Sequence, residues 1–553
     1  DLLINEIKAA GFESIAVGLL HSYANDTHER MIAKALAQRM PEAMVSLSSQ
    51  VSPQMREYER FNTTIANAYI KPLMKSYLSR LKGRLAKEHA NCPIFLMHSG
   101  GGIISLENAA EFPVRLIESG PAGGAVFAAH IAARHGLDKV LSFDMGGTTA
   151  KICLIKNQTP KTARVFEVAR TYRFKKGSGM PISIPVIDMV EIGAGGGSLA
   201  QIDSMRQIRV GPESAGSEPG PACFKRHGTR PAVTDADLIL GKLDPTNFAG
   251  GSISLDALAS EKALKLHLGD PLEVTAQMAA FGLSEVVDEN MANAARVHAV
   301  ENGEDLSEFT MIAFGGAAPL HAGRLCEKLG IKRMLVPTGA GVGSAIGFLY
   351  APFSFEANRS QFMRLSDFDA KAIKLILNEL KSEATAFVRS CNALAPIEAK
   401  YKVYMRYSGQ GWEIPVQLTK AQAKAPDVNT YQALFEREYE LLFGRVVDGM
   451  DVEVTVWSVN ATTPAQTVNP VQKIQTLQSL TTEKTRELFD PSVEAVTTAA
   501  ELPRSTMKPG SQIAGPAIIT EDETTVIVPA SRIATALNDG SIDITEKERP
   551  DVS

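Results

Sequence analysis

Apolar positions along this chain change spacing every few residues, and the changes mark its elements. Residues 2–10 predict a helix closed by Gly11, and 14–20 a strand. Asn25 to Glu29 forms a polar cap for a helix through Ala37, and 43–48 reads as another strand. Helical spacing then runs from 57 to 87, with Ile65, Ala68, Tyr69, Leu73, Tyr77, Leu78 and Leu81 on one broad face. A strand at 93–98 ends in Ser99-Gly-Gly-Gly102, and a small-residue helix reaches Ala133 with Pro121 in its first turn. A buried strand at 140–143 leads into Asp144-Met-Gly-Gly-Thr-Thr149, after which a second apolar run leaves at 152–155. Strand, glycine turn and helix alternating in this way predict a layered α/β fold.

Residues 177–251 are rich in glycine and poor in regular pattern. A long helix is expected over 274–302, then a strand over 309–314 that ends in Gly315-Gly316. Beyond residue 361 the glycine-rich character is lost. A helix at 368–391, a β-rich stretch at 401–418, a helix at 431–442 and a β-segment at 513–529 follow. These shifts divide the chain into 1–60, 61–352 and 353–553, the last as an α+β module.

Composition narrows the class. The 553 residues are 44% apolar and 22% charged, ordinary for a globular protein of several domains. The net charge of −5 gives no basic field, so neither nucleic acid nor an anionic membrane is expected as partner. Five scattered cysteines without a C-x-x-C pair point to reduced thiols in a cytoplasmic protein. No apolar run approaches the roughly 18 residues of a membrane span. Residues 339–353 come nearest and are broken by Gly341, Gly343, Gly347 and Pro352.

The candidate chemistry centres on Asp144. A carboxylate at a strand end followed by Gly146, Gly147, Thr148 and Thr149 suits phosphate held by backbone N–H groups and hydroxyls, with Asp144 on a hydrated Mg²⁺. The competing reading is a Gly-Gly hairpin turn. Gly195, Gly196 and Gly197 offer either phosphate or substrate contact, or a turn needed only for packing. No Walker A loop is present, and residues 193–197 lack the helix and distal acid of a dinucleotide fingerprint. In a strand Asp188 and Glu191 fall on opposite faces, so at most one serves the chemistry. His98 is open to either role, while His321 and Cys223 read as structural. Arg170, Arg173, Lys175 and Lys176 read as a solvated basic face.

Several motifs together carry a closer resemblance. Leu20-His-Ser-Tyr-Ala-Asn25, Glu57-Tyr-Glu-Arg60, Ser119-Gly-Pro-Ala-Gly-Gly124 and Phe143-Asp-Met-Gly-Gly-Thr148 resemble the hydantoinase A family. So do Gly193-Ala-Gly-Gly-Gly-Ser198, Gly211-Pro-Glu-Ser-Ala-Gly216, Pro219-Gly-Pro-Ala-Cys223, Thr234-Asp-Ala236 and Phe314-Gly-Gly316. Arg406-Tyr-Ser-Gly-Gln410 and Gly515-Pro-Ala517 extend the match into the C-terminal region. The resemblance implies RNase H-like halves of the sugar kinase, heat-shock ATPase and actin superfamily. It implies ATP with Mg²⁺ or Mn²⁺, and a hydantoinase B-type partner subunit. The implied reaction is ATP-dependent hydrolysis of a small cyclic amide, with an ATP-dependent ketone carboxylase subunit or a non-catalytic assembly subunit as alternatives.

On that reading Asp144 and Lys151 are catalytic and Asp144 also holds metal. Gly146, Gly147, Thr148, Thr149 and Gly195 to Gly197 hold phosphate, and Gly315 with Gly316 faces adenosine. Two departures stand out. Lys151 follows Thr149-Ala150 where many members have a Ser/Thr-Asp pair. No earlier Asp-x-Gly-Gly-Thr turn precedes Asp144, and Asp1-Leu-Leu-Ile opens like mid-helix, so the chain is expected to begin inside a domain.

Overall fold

Val140, Leu141 and Phe143 are fully buried, which places their strand at the centre of a sheet. A computed structural model describes residues 2–171, 177–464 and 466–547. Arg173, Lys175 and Lys176 lie outside the described residues, while Arg170 pairs with Glu167 at 3.3 Å.

The described chain divides into two compact units, neither continuous in sequence. One comprises 1–122, 162–186 and 351–466; the other comprises 123–161, 187–350 and 467–553. The expected division near 352 falls close to a boundary. Residue 60, by contrast, lies within the helix Glu57–Lys87 of the first unit. Residues 467–553 belong to the second unit rather than to a C-terminal module. Ser511–Ala514, Arg532–Ala536 and Ile542–Glu546 extend its main sheet, while Thr485–Asp490, Ala495–Pro503, Ala517–Thr520 and Thr525–Val528 form a separate four-stranded sheet, pairings that local pattern does not announce.

That sheet has ten strands. Eight form its body: β1 (Lys139–Met145), β2 (Ala150–Lys156), β3 (Met189–Ile192), β4 (Thr310–Phe314), β5 (Arg333–Val336), β6 (Ser511–Ala514), β7 (Arg532–Ala536) and β8 (Ile542–Glu546). Their order is β3-β2-β1-β4-β5-β8-β7-β6. β2 runs antiparallel to β1 and β3, whereas β4 is parallel to both β1 and β5. Two long helices serve this unit. Ala276–Glu301 buries an alanine-rich stripe including Ala279, Ala280, Ala292 and Ala295, and Ala318–Leu329 starts directly after the Gly315-Gly316 turn. The expected elements at 274–302 and 309–314 are therefore present with ends shifted by a residue or two.

The first unit has a small parallel pair, Ser14–Val17 with Met44–Leu47, and an antiparallel four-stranded sheet. Ser354–Arg364, Val452–Thr462, Glu398–Tyr407 and Ile414–Leu418 make that sheet in spatial order. The helix Ala370–Cys391 packs on it through Ile373, Ile376, Leu377 and Leu380, against Trp457 and Val403.

The helix Glu57–Lys87 turns most of its apolar face outward. It buries Arg60, Thr63, Thr64, Asn67 and Lys71, with Ala68 and Leu78, and leaves Ile65, Tyr69, Leu73 and Tyr77 exposed. The buried polar groups are partnered, which makes this arrangement affordable. Arg60 donates to the Gln54 carbonyl at 2.8 Å, Asn67 to Ser46 Oγ at 3.0 Å, and Lys71 to Glu111 at 2.6 Å.

Candidate functional site

The antiparallel register of three strands lines up three charges. Asp144 on β1 is directly opposite Lys151 on β2, and Lys151 is directly opposite Glu191 on β3. Directly opposed residues point to the same face of a sheet, so Lys151 stands in register between two acidic residues. Lys151 Nζ lies 3.5 Å from Glu191 Oε1 and donates to Thr149 Oγ1 at 2.6 Å. Asp188 precedes β3, and Glu191 is the acid that joins this row.

Asp144 is mostly buried, and burial raises its carboxyl above the ordinary aspartate value. A hydrogen bond from Ser344 Oγ at 2.7 Å and the Lys151 charge work in the opposite direction. The carboxyl is thus held by a hydroxyl, while the Lys151 charge acts on it from beyond ion-pair distance.

The turn between β1 and β2 presents unused donors. Gly146 N–H closes the turn onto the Thr149 carbonyl at 3.1 Å. The next three N–H groups, of Gly147, Thr148 and Thr149, meet no backbone acceptor outside the regular ladders. Gly147 and Thr148 are exposed. A Cβ added to Gly146 or Gly147 would meet nothing in the protein within 4 Å. Packing therefore does not demand glycine at either place, and the space over the turn is open to a ligand.

The 193–197 loop lies under this turn as a brace. Gly196 N–H donates to the Gly146 carbonyl at 3.0 Å and Gly197 N–H to the Gly147 carbonyl at 2.6 Å. Gly195 N–H is taken by Ser198 Oγ at 2.9 Å. These three glycines are buried and their amides are engaged with protein groups. A Cβ on Gly195 would stand 2.6 Å from Thr148 backbone atoms, so only glycine allows this approach. Thr234 anchors the brace in turn, giving both its N–H and its hydroxyl to the Gly196 carbonyl, each at 2.8 Å.

The second glycine turn abuts the first. Gly315 has φ +96°, and a Cβ there would be 2.6 Å from Asp144 Oδ1 and 2.5 Å from the Met145 carbonyl. Its N–H is bound to the Ala340 carbonyl at 2.7 Å, whereas Gly316 is exposed. Thr524 Oγ1 donates to the Gly316 carbonyl at 3.0 Å. All eleven sequence-predicted positions thus fall on one cluster of turns in the second unit. Sequence reasoning missed Ser344, whose only signal was its place in the glycine-broken 339–353 stretch, and Glu191 as the partner of Lys151.

His321 is structural, as expected. It is fully buried, with Nδ1 at 2.8 Å from Asp288 Oδ1 and Nε2 at 3.2 Å from Asp237 Oδ2. Lys242 Nζ reaches the other Asp237 oxygen at 2.9 Å. Against its desolvation, the Asp237 charge leads in raising the His321 imidazole to about 9. Cys223 is a buried thiol, pushed up by desolvation and by Asp235 beside it, which leaves it unreactive. Among the described residues no cluster of three or more His, Cys, Asp or Glu has the form of a protein-only metal site. No described helix is long and apolar enough to cross a membrane.

Comparison with known proteins shows the family of the chain. Residues 60–357 match the hydantoinase/oxoprolinase family and 366–541 match its C-terminal domain. An uncharacterized protein of Methanocaldococcus jannaschii is 32% identical over 95% of this chain and 75% of its own length. The caprolactamase subunit alpha of Pseudomonas jessenii is 31% identical over 80% of this chain, which spans 63% of that subunit. The acetone carboxylase beta subunit of Xanthobacter autotrophicus is 27% identical over 95% of this chain and 74% of its own length. The crystal structure of the ATP-dependent caprolactamase of P. jessenii superposes with a TM-score of 0.84 at 27% identity, covering 99% of this chain and 79% of that one. With a family match over more than half its length and a hydroxyl-braced Asp-Met-Gly-Gly-Thr turn in its second unit, this chain belongs to the hydantoinase/oxoprolinase family.

Proposed function

We propose that the chain is the nucleotide-handling subunit of an ATP-dependent enzyme that opens a small cyclic amide. One observation carries this reading. The Gly146-Gly147 turn, with the Gly147 N–H uncommitted to a backbone acceptor, opens to free space beside a mostly buried, hydrogen-bonded carboxylate. Such a turn suits the oxygens of a triphosphate. Asp144 suits a Mg²⁺ or Mn²⁺ that keeps most of its waters and shares phosphate oxygens, a mode that needs only one or two carboxylates. We read the β3-β2-β1-β4-β5 order, with only β2 reversed, as an RNase H-like half of the actin and sugar-kinase type.

An unstrained amide resists water because resonance makes its carbonyl a poor electrophile. Transfer of the terminal phosphoryl group to the amide oxygen, with release of ADP, would give a carbon that water attacks and a phosphate that leaves. The divalent ion would offset charge on the phosphates when bound. The chain's own part is positioning: turn amides orient the phosphates, Lys151 offers a cation near them, and Ser344 aims the Asp144 carboxylate. Gly195 to Gly197 hold the turn in shape from beneath, and Gly316 with the start of Ala318–Leu329 offers a surface for adenosine.

The exposed stripe Ile65, Tyr69, Leu73 and Tyr77 supports association with a B-type subunit. The proposed compartment is the cytoplasm, in keeping with five unpaired cysteines. Similarity to an acetone carboxylase subunit supports a second reading, in which the activated oxygen belongs to a ketone enol or bicarbonate. The test is ATP hydrolysis by the chain coexpressed with its B-type partner. Stimulation by hydantoin, 5-oxoproline or caprolactam supports the amide reading. Stimulation only by acetone with bicarbonate supports the carboxylase reading, and no ATP binding by calorimetry would sink both.

A further inference from the structure

Lys151 has an acid in register on each side, yet it pairs with only one of them. Asp144 is directly opposite on β1 and Glu191 directly opposite on β3. The ammonium lies 3.5 Å from Glu191 Oε1, whereas its charge acts on Asp144 from beyond ion-pair distance. Thr149 Oγ1 takes a second ammonium proton at 2.6 Å. A hydroxyl that accepts from a cation keeps its own proton to donate, so this seat leaves the Thr149 O–H for another acceptor.

Folding stability does not explain the choice of partner. The side chains of Lys151 and Glu191 are 21% and 43% exposed, and ion pairs this open to water contribute little. What the pair changes is the charge at Asp144. Without Glu191, the carboxylate across the ladder on β1 is the one left to attract the ammonium, and a carboxylate paired with a cation is a poorer ligand for a divalent ion. The rest of the geometry keeps Asp144 available to such an ion. Its Oδ2 takes the Ser344 hydroxyl, and beside Oδ1 stands Gly315, where a Cβ would come within 2.6 Å of that oxygen.

We infer that Glu191 is a positioning residue of the phosphate turn: by drawing Lys151 toward β3, it keeps the Asp144 carboxylate open to the divalent ion that accompanies ATP. The inference rests on the proposed nucleotide reading and deepens it by naming the residue that tunes its metal dependence. Glu191 acts through Lys151 and touches no ligand itself.

The test is calorimetric titration of ATP into the full chain over a series of Mg²⁺ concentrations. The readout is the Mg²⁺ concentration that brings ATP affinity half-way to its plateau. Glu191→Gln should raise that midpoint about three- to fivefold, the effect of releasing one partly exposed cation, and should keep the parent melting temperature. Lys151→Met should lower the midpoint or leave it. Adding Glu191→Gln to Lys151→Met should then shift it by less than about twofold, because the residue through which Glu191 acts is gone. Lys156→Gln breaks a pair with Glu304 at the far end of β2 and should leave the midpoint unchanged. An unmoved midpoint in Glu191→Gln overturns the inference while the nucleotide reading stands. So does an equal shift with and without Lys151, since Glu191 would then act on the ion directly. A parent chain that binds no ATP, or binds it regardless of Mg²⁺, overturns the nucleotide reading and this inference together.

Discussion

Ser344 Oγ donates to the Asp144 carboxylate at 2.7 Å, across 200 residues of sequence. That bond favours the ionised form of a carboxyl that burial pushes toward the neutral one. Ser344→Ala should therefore raise the Asp144 pKa further. The acidic limb of Mg²⁺-dependent ATP binding should move to higher pH by up to about one unit. A pH series of nucleotide titrations on both proteins measures it, and an unmoved limb would remove Asp144 from the binding step.

Asp144→Asn should lower Mg²⁺-dependent ATP turnover about a hundredfold or more, as the loss of a preorganised charge at a phosphoryl-transfer site does. Its effect on stability should have the opposite sign. A carboxyl whose folded pKa is raised costs stability above that pKa, so the neutral amide should melt at the same temperature as the parent or higher. Thermal unfolding at neutral pH beside an ATPase assay separates the two effects.

Two glycines of one site should behave differently. Gly195→Ala puts a methyl 2.6 Å from the Thr148 backbone and should cost about 2–3 kcal/mol or displace the phosphate turn. Gly146→Ala meets no protein atom within 4 Å, so it should leave the melting temperature nearly unchanged while weakening nucleotide binding. Denaturant unfolding and calorimetry on the pair check this, and equal destabilisation by both would contradict the brace.

The His321 network makes stability depend on alkaline pH. The folded imidazole titrates near 9 against an ordinary value of 6.5, so its stabilising contribution is complete below 6.5 and is lost as pH rises through about 9. His321→Asn leaves Asp237 and Asp288 without that cation and should destabilise by about 3–5 kcal/mol at pH 6. The gap between variant and parent should narrow toward pH 10, as melting curves across that range would record.

Tyr69 is 84% exposed and Leu73 67% exposed on a helix whose polar face is buried. Tyr69→Glu should leave the unfolding of the isolated chain within about 0.5 kcal/mol of the parent. It should weaken copurification with a coexpressed B-type subunit. Unchanged copurification would move the partner surface elsewhere.

Much of the fold was legible because its strands and helices carry strong local periodicity. The long helix Ala276–Glu301, β4 and the first-unit helix Ala370–Cys391 were each predicted within about two residues of their ends. The site's glycine turn was legible for a related reason: Asp144-Met-Gly-Gly-Thr-Thr149 is contiguous, so its chemistry needs no knowledge of distant contacts. Which face of Glu57–Lys87 is buried was not legible, since apolar spacing says that a helix is amphipathic but not which face meets the core. Arg60, Asn67 and Lys71 are buried there only because Gln54, Ser46 and Glu111 are placed to receive them.

By itself the sequence determined the elements, the alternating α/β character and the turn where donors converge, since each is a short-range consequence of side-chain type. Tertiary structure alone decided that β8 extends the sheet begun by β1, and that Lys151 stands between Asp144 and Glu191. It also decided that Gly195 to Gly197 lie beneath the turn and that Ser344 completes it. Strand register and the meeting of distant segments depend on how whole faces bury together, and no local spacing encodes that sum.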